Sequence, residues 1–128
     1  MADKGLRVAL FGRFFNEGED KKTIQAQKEK LREEAKKRNY VVVDEFWEEN
    51  SFIEASLDER PEFKRFLTSV WNNELIIEGL FLPKISDLGG INRKENVTIT
   101  MFFEQNNMTI ITYDEIYSPE FWISGLSL

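Results

Sequence analysis

Short apolar runs, each separated from the next by a helix-forming stretch, constrain this fold more than any other feature. Leu6-Arg7-Val8-Ala9-Leu10-Phe11 reads as a buried strand, and Gly12 marks its exit into a loop, GRFFNEGED. Lys21 to Arg38 is dense in strong helix formers, with sparse apolar positions at Ile24, Leu31 and Ala35. Such a helix covers a sheet with one narrow stripe and turns its charged face to water. Asn39-Tyr40 ends it, and Val41-Val42-Val43 with Phe46 reads as a second strand. Glu48 to Asp58 has no clear period and reads as a loop.

Pro61 is suited to the first turn of a second helix. Phe63, Phe66, Leu67, Val70 and Trp71 follow at i, i+3, i+4, i+7 and i+8, a core-facing stripe. Ile76-Ile77 and Leu80-Phe81-Leu82 read as a third strand, running into Pro83 and the polar loop Lys84 to Gly90. Val97, Ile99, Met101 and Phe103 alternate as a strand would, but the run is long for one and lies between two better strands. Residues 92–105 are therefore read as helix, broken by Asn106-Asn107, and Met108 to Tyr113 as the last strand. A helix start at Ser118-Pro119 follows. The alternation predicts one α/β domain over 1–128, with right-handed crossovers and a mainly parallel sheet of four or five strands. Helices on both faces make it three-layered.

Composition narrows the chemistry. The chain of 128 residues is 41% hydrophobic and 31% charged, a globular balance rather than a disordered one. It contains no cysteine and no histidine, which removes the thiol nucleophile, the commonest general base and the commonest transition-metal ligands. No cofactor or metal is expected. Asn16, Glu17, Glu19 and Asp20 could offer oxygen ligands, but they lack calcium-loop spacing and read as solvated loop residues. The net charge of −6 runs against a free-standing nucleic-acid binder, whose affinity comes largely from neutralising phosphates. No membrane-length apolar run or signal peptide is seen, so the expected location is cytoplasmic.

Five stretches carry a more specific message by their order and spacing. These are RVALFGR at Arg7, TIQAQKEKL at Thr23, VVVDEF at Val41, ASLDERPEF at Ala55 and LPKISDLGG at Leu82. Together, from about Arg7 to Tyr117, they resemble the catalytic domain of the serine site-specific recombinases, the resolvase–invertase and large serine integrase family. The resemblance implies a resolvase-like fold. In that family a serine attacks a DNA phosphodiester while arginines surround the scissile phosphate, because phosphoryl transfer needs positive charge on the non-bridging oxygens.

Matched position by position, the site departs from the family where its chemistry lies. Arg13 matches the arginine before the nucleophile, and Arg60 matches the arginine before the second helix. The nucleophile's position holds Phe15; Ser86 stands for the family's acid, Asp87 for its adjacent arginine and Gly90 for a later arginine. At an effective dielectric of about 20, one cation-to-anion reversal near a phosphate costs several kcal/mol. Ser86 has no histidine or cysteine neighbour to activate it and reads as turn filler. Phe14 and Phe15 read as core or pocket filler, and Arg13 and Arg60 are expected to pair with acids such as Asp87.

The expectation is thus a vestigial pocket of Arg13, Phe15, Arg60, Ser86, Asp87 and Gly90, without strand-exchange activity. The family's dimerisation helix and DNA-binding domain are expected to be absent or truncated after about 118. The domain would act through a protein partner, either a recombinase or a second copy of itself, with DNA binding weak or indirect. Phe121-Trp122-Ile123 is the candidate interface. One alternative is a fragment or diverged member of a working DNA-cleaving recombinase. Another is a small-molecule or phosphate site at Gly89-Gly90.

Overall fold

β1 (Arg7–Phe15) lies inside a five-stranded sheet whose order is β2-β1-β3-β4-β5. The computed structural model describes residues 5–15, 20–51, 55–89 and 92–117. Gly90, Phe121, Trp122, Ile123, Asn16, Glu17 and Glu19 lie outside them. α1 (Lys21–Lys37), β2 (Val41–Ser51), α2 (Pro61–Trp71), β3 (Gly79–Phe81), α3 (Arg93–Gln105), β4 (Thr109–Ile111) and β5 (Ile116–Tyr117) follow in turn. The first four strands are parallel, and β5 pairs antiparallel with β4 at the edge.

The period of two along β1 assigns the layers. Val8 and Leu10 pack with Leu31 and Ala35 of α1, whereas Ala9 and Phe11 pack with Phe63 and Phe66 of α2 and Ile99 and Phe103 of α3. One helix covers one face and two cover the other, the three-layer α/β arrangement read from the sequence. The second layer is rich in ring contacts, such as Phe11 edge-on to Phe63 at 5.5 Å and Phe46 edge-on to Phe66 at 5.4 Å.

Each helix stops at an asparagine just past its end: Asn39, Asn73 and Asn107 have φ of 61°, 61° and 53°. Asparagine tolerates this left-handed turn better than most residues, so it serves as a helix stop where glycine is not used. Asp20 caps α1 through Thr23 N–H at 2.8 Å, and Asn92 caps α3 through Glu95 N–H at 3.0 Å.

Several sequence expectations are corrected. β1 does not exit at Gly12 but continues through Phe15, so Arg13 is a strand residue. Gly12 is needed for another reason: a Cβ there would lie 2.9 Å from the Trp47 ring and 3.0 Å from that of Phe14. β2 runs on to Ser51, through residues read as loop. Trp71 is 72% exposed and faces away from the core, because α2 ends there and the chain turns off the sheet. Ile76 and Ile77 precede β3 rather than belonging to it.

Candidate functional site

In an open α/β sheet, ligands collect at the carboxyl ends of strands whose connections leave toward opposite faces. Here those strands are β1, leading to α1, and β3, leading to α3 on the other face. Arg13 near the end of β1 and Asp87 in the 3₁₀ turn Ile85–Asp87 after β3 therefore face one crevice, and Arg60 enters it from the start of α2.

Arg13 shares strand parity with Ala9 and Phe11, so it is aimed at the α2 and α3 side. It is buried, and its Nε donates to Ser51 Oγ on β2 at 2.9 Å. Its guanidinium lies 4.9 Å from the centroid of the half-buried Phe15 ring. Burial lowers the Arg13 pKa, while the negative charges of Asp87 and Glu48 act against that shift.

Arg60 is 1% exposed, one of the most enclosed side chains in the fold. Its Nε and Nη2 donate to the Ala55 carbonyl at 3.2 and 3.0 Å, and Nη2 also donates to the Gly89 carbonyl at 2.7 Å. Nη1 has no hydrogen-bond partner among the described residues. Burial, and then the like charge of Arg13, push the Arg60 pKa down to about 10, against the pull of Glu95 and Glu48. The two arginines therefore share one enclosed electrostatic site.

Glu48 completes it. Phe46 points into the α2 layer, and two residues on the same parity brings Glu48 under the start of α2, where it accepts Phe63 N–H at 3.0 Å. This strand carboxylate does the work of an N-cap, since Arg60, which precedes Pro61, makes no side-chain cap bond. Burial raises the Glu48 pKa, and the backbone N–H groups of Phe63 and Glu62 oppose the rise.

The structure brings together four of the residues singled out from the sequence: Arg13, Phe15, Arg60 and Asp87. Ser86 is instead exposed on the turn. Of the two arginines expected to meet Asp87, Arg13 is the one its charge acts on; the acids that act on Arg60 are Glu95 and Glu48. Sequence reasoning missed Glu48 and Ser51. Extending the period of two from Phe46 would have found Glu48 and placed it beside the Pro61 helix start. Ser51 carried no comparable signal.

Chemically, two buried cations sit among buried carboxylates rather than facing solvent. The hydroxyl on Arg13, that of Ser51, belongs to a residue only 5% exposed.

Residues 9–121 match the family described as the resolvase N-terminal domain. Among solved structures, the N-terminal catalytic domain of TP901-1 integrase superposes with a TM-score of 0.71 at 21% identity, over 94% of this chain and 90% of that one. A resolvase family site-specific recombinase from Streptococcus pneumoniae gives 0.71 at 17% identity, over 94% and 83%. The C-terminal catalytic domain of ISC1926 TnpA, an IS607-like serine recombinase, gives 0.65 at 16% identity, over 84% and 67%. At these identities the structures establish a common fold. No curated protein sequence matches the chain.

Proposed function

We propose that this chain, which belongs to the resolvase N-terminal domain family, keeps the family's scaffold without strand-exchange chemistry and acts through contacts with other proteins. One observation carries the reading: the phenyl ring of Phe15 lies against the Arg13 guanidinium, at the position where the resembled family has its nucleophile. A ring there offers no attacking group and occupies one face of the cation that would have oriented a phosphate. Asp87 and Glu48 act on Arg13 from within the fold, and Arg60 is committed to the Ala55 and Gly89 carbonyls. The pocket's positive charge is thus used internally, and the net charge of −6 supplies no attraction for DNA elsewhere.

The partner of such a domain would be a protein of the cytosol, either a recombinase of the same fold or a second copy. Its exposed apolar surface includes Trp71 and Ile76, 72% and 67% exposed, and the sequence offers Phe121-Trp122-Ile123 as a further candidate interface. Among the described residues no helix is long and apolar enough to cross a membrane. A mobility-shift titration with duplex DNA tests the reading. Binding weaker than about 10⁻⁴ M at physiological salt, below the ordinary non-specific range, is expected; sequence-selective binding in the nanomolar range contradicts it.

A second reading draws support from two observations. Ser51 Oγ sits 2.9 Å from Arg13 Nε, and Arg60 Nη1 is a buried donor without a partner among the described residues, as in a diverged pocket still able to meet phosphate. A DNA-cleaving member with a relocated hydroxyl would have these features. The low exposure of Ser51 weighs against it.

A further inference from the structure

The sheet ends on one side at β2, a strand of 11 residues with β1 on its inner side and, among the described residues, no strand on its outer side. An open edge of that length offers a row of peptide groups to any extended chain, including a second copy of this one. Register narrows the stretch that could pair. β2 gains one residue on β1 between Val42 and Asp44, and another between Glu48 and Ser51. Such bulges bend an edge strand and interrupt its outer side, which leaves Asp44 to Glu48 as the regular stretch between them.

Parallel pairing fixes which peptide groups of that stretch point outward. The Leu6 carbonyl accepts Val41 N–H, so Leu6 faces β2, whereas the Arg7 carbonyl accepts Glu78 N–H on the β3 side. Alternation turns Leu10 to the β2 side as well, and Leu10 is matched with Glu45. At each matched pair of a parallel ladder only one residue directs its peptide groups across, so those of Glu45 point away from the sheet. Both are already taken. Glu45 N–H donates to Asp44 Oδ1 at 2.7 Å, and the Glu45 carbonyl accepts from Arg65 Nη2 at 3.0 Å. Arg65 reaches this carbonyl from α2, with its guanidinium 4.1 Å from the centroid of the Phe46 ring. Its Nε and Nη2 donate to Glu62 Oε1 at 3.1 and 2.9 Å, and Nη1 lies 3.5 Å from Asp44 Oδ2. From the α1 side, Arg32 holds the Glu45 carboxylate through Nε and Nη2 at 2.7 to 3.2 Å. Every hydrogen-bonding group of Glu45 thus has a partner within the fold.

We propose that Arg65 and Asp44 form a clasp that closes the β2 edge to strand addition and keeps a second copy of the chain from pairing there. Exposed ion pairs add little stability one by one, so the clasp acts through its position rather than its strength. An incoming strand would have to displace Arg65 from the Glu45 carbonyl and Asp44 from its N–H before making bonds of its own. Arginine suits the task because its planar fork meets Glu62, Asp44 and Glu45 at once. The inference goes beyond the proposed protein contacts by naming an edge that they do not use, and it stands apart from the strand-end pocket.

Amide exchange at Glu45, followed by nuclear magnetic resonance on the full 128-residue chain at rising protein concentration, tests it. In the parent the Glu45 rate should not change with concentration. With Arg65→Ala and Asp44→Ala combined it should slow at least about tenfold, because pairing of β2 edges then protects the amide by mass action. Arg65→Lys keeps the charge without the fork, should show part of that slowing, and serves if the double variant does not fold. Lys64→Ala removes the same charge from the neighbouring position of α2 and should behave as the parent. Contact between copies through any other face leaves the Glu45 amide as it is, so the result does not depend on the partner proposed above. Exchange independent of concentration in both Arg65 variants overturns the inference. Concentration-dependent protection of Glu45 in the parent, or equally in Lys64→Ala, overturns it too.

Discussion

The guanidinium carbon of Arg13 stands 4.9 Å from the centre of the Phe15 ring, two residues along the same strand. Residues i and i+2 of a strand point to the same face, so the two side chains lie side by side on β1. The contact gives the cation a partner that requires no water and no anion. Phe15→Ser should therefore destabilise the domain by about 1–2 kcal/mol, from lost partial burial and the cation–π contact. Urea unfolding monitored by circular dichroism measures it, and a neutral or stabilising result would show the ring to be dispensable.

Arg60 is tied to two carbonyls by a forked geometry that lysine cannot copy. Arg60→Ala is expected to cost about 3–5 kcal/mol, since it leaves a cavity and strands the Ala55 and Gly89 carbonyls. Arg60→Lys should recover only part of that loss. Equal stability of the lysine variant and the parent, by denaturant midpoint, would mean that the fork is unimportant.

Glu48 gives the fold a pH signature. Burial holds its pKa above the ordinary 4.5, so the folded chain binds this proton more tightly than the unfolded chain. The associated stability is fully present below pH 4.5 and is lost as pH rises through the raised value. Glu48→Gln keeps an oxygen acceptor for Phe63 N–H but removes the titration. The stability of the parent relative to Glu48→Gln should thus fall as pH rises from 4.5 toward neutrality. A difference that stays flat or grows, in unfolding curves taken across that range, contradicts the assignment.

Gly12→Ala places a methyl group against Trp47 and Phe14 at about contact-violating distance, 2.9 and 3.0 Å. Overpacking of this kind costs about 1–3 kcal/mol. The thermal midpoint should drop accordingly, and an unchanged midpoint would show that the Trp47 ring can move aside.

Restoring the family's residues tests how far the pocket has closed. Phe15→Ser, Ser86→Asp, Asp87→Arg and Gly90→Arg together add positive charge at the strand ends. Weak, salt-sensitive DNA binding should return without efficient cleavage, because Arg60 remains held by Ala55 and Gly89. Mobility shifts identical to those of the parent contradict this.

Much of the architecture was legible because hydrophobic period is local. The stripe Phe63, Phe66, Val70 and the sparse stripe Leu31, Ala35 each identified a helix and its inner face. Lengths of the first two strands were misjudged for a physical reason. Gly12 looks like a strand end in isolation, yet its role is set by Trp47 on the neighbouring strand, a contact that no local pattern records. Glu48 and Ser51 looked like loop because polar residues in a strand are justified only by their partners, Phe63 N–H and Arg13. β5 is two residues long, too short to carry a period. The pocket's members could be named from motif order, but which acid acts on which arginine needed the packing of α2 and α3.

The central claim is that the strand-end pocket no longer breaks phosphodiester bonds. Its most direct test is to incubate the purified chain with supercoiled DNA, quench with denaturing detergent, and look for nicking and for protein covalently bound to DNA. The account predicts intact supercoils and no detergent-resistant adduct. A covalent adduct that disappears in Ser51→Ala would contradict it and identify the hydroxyl beside Arg13 as a working nucleophile.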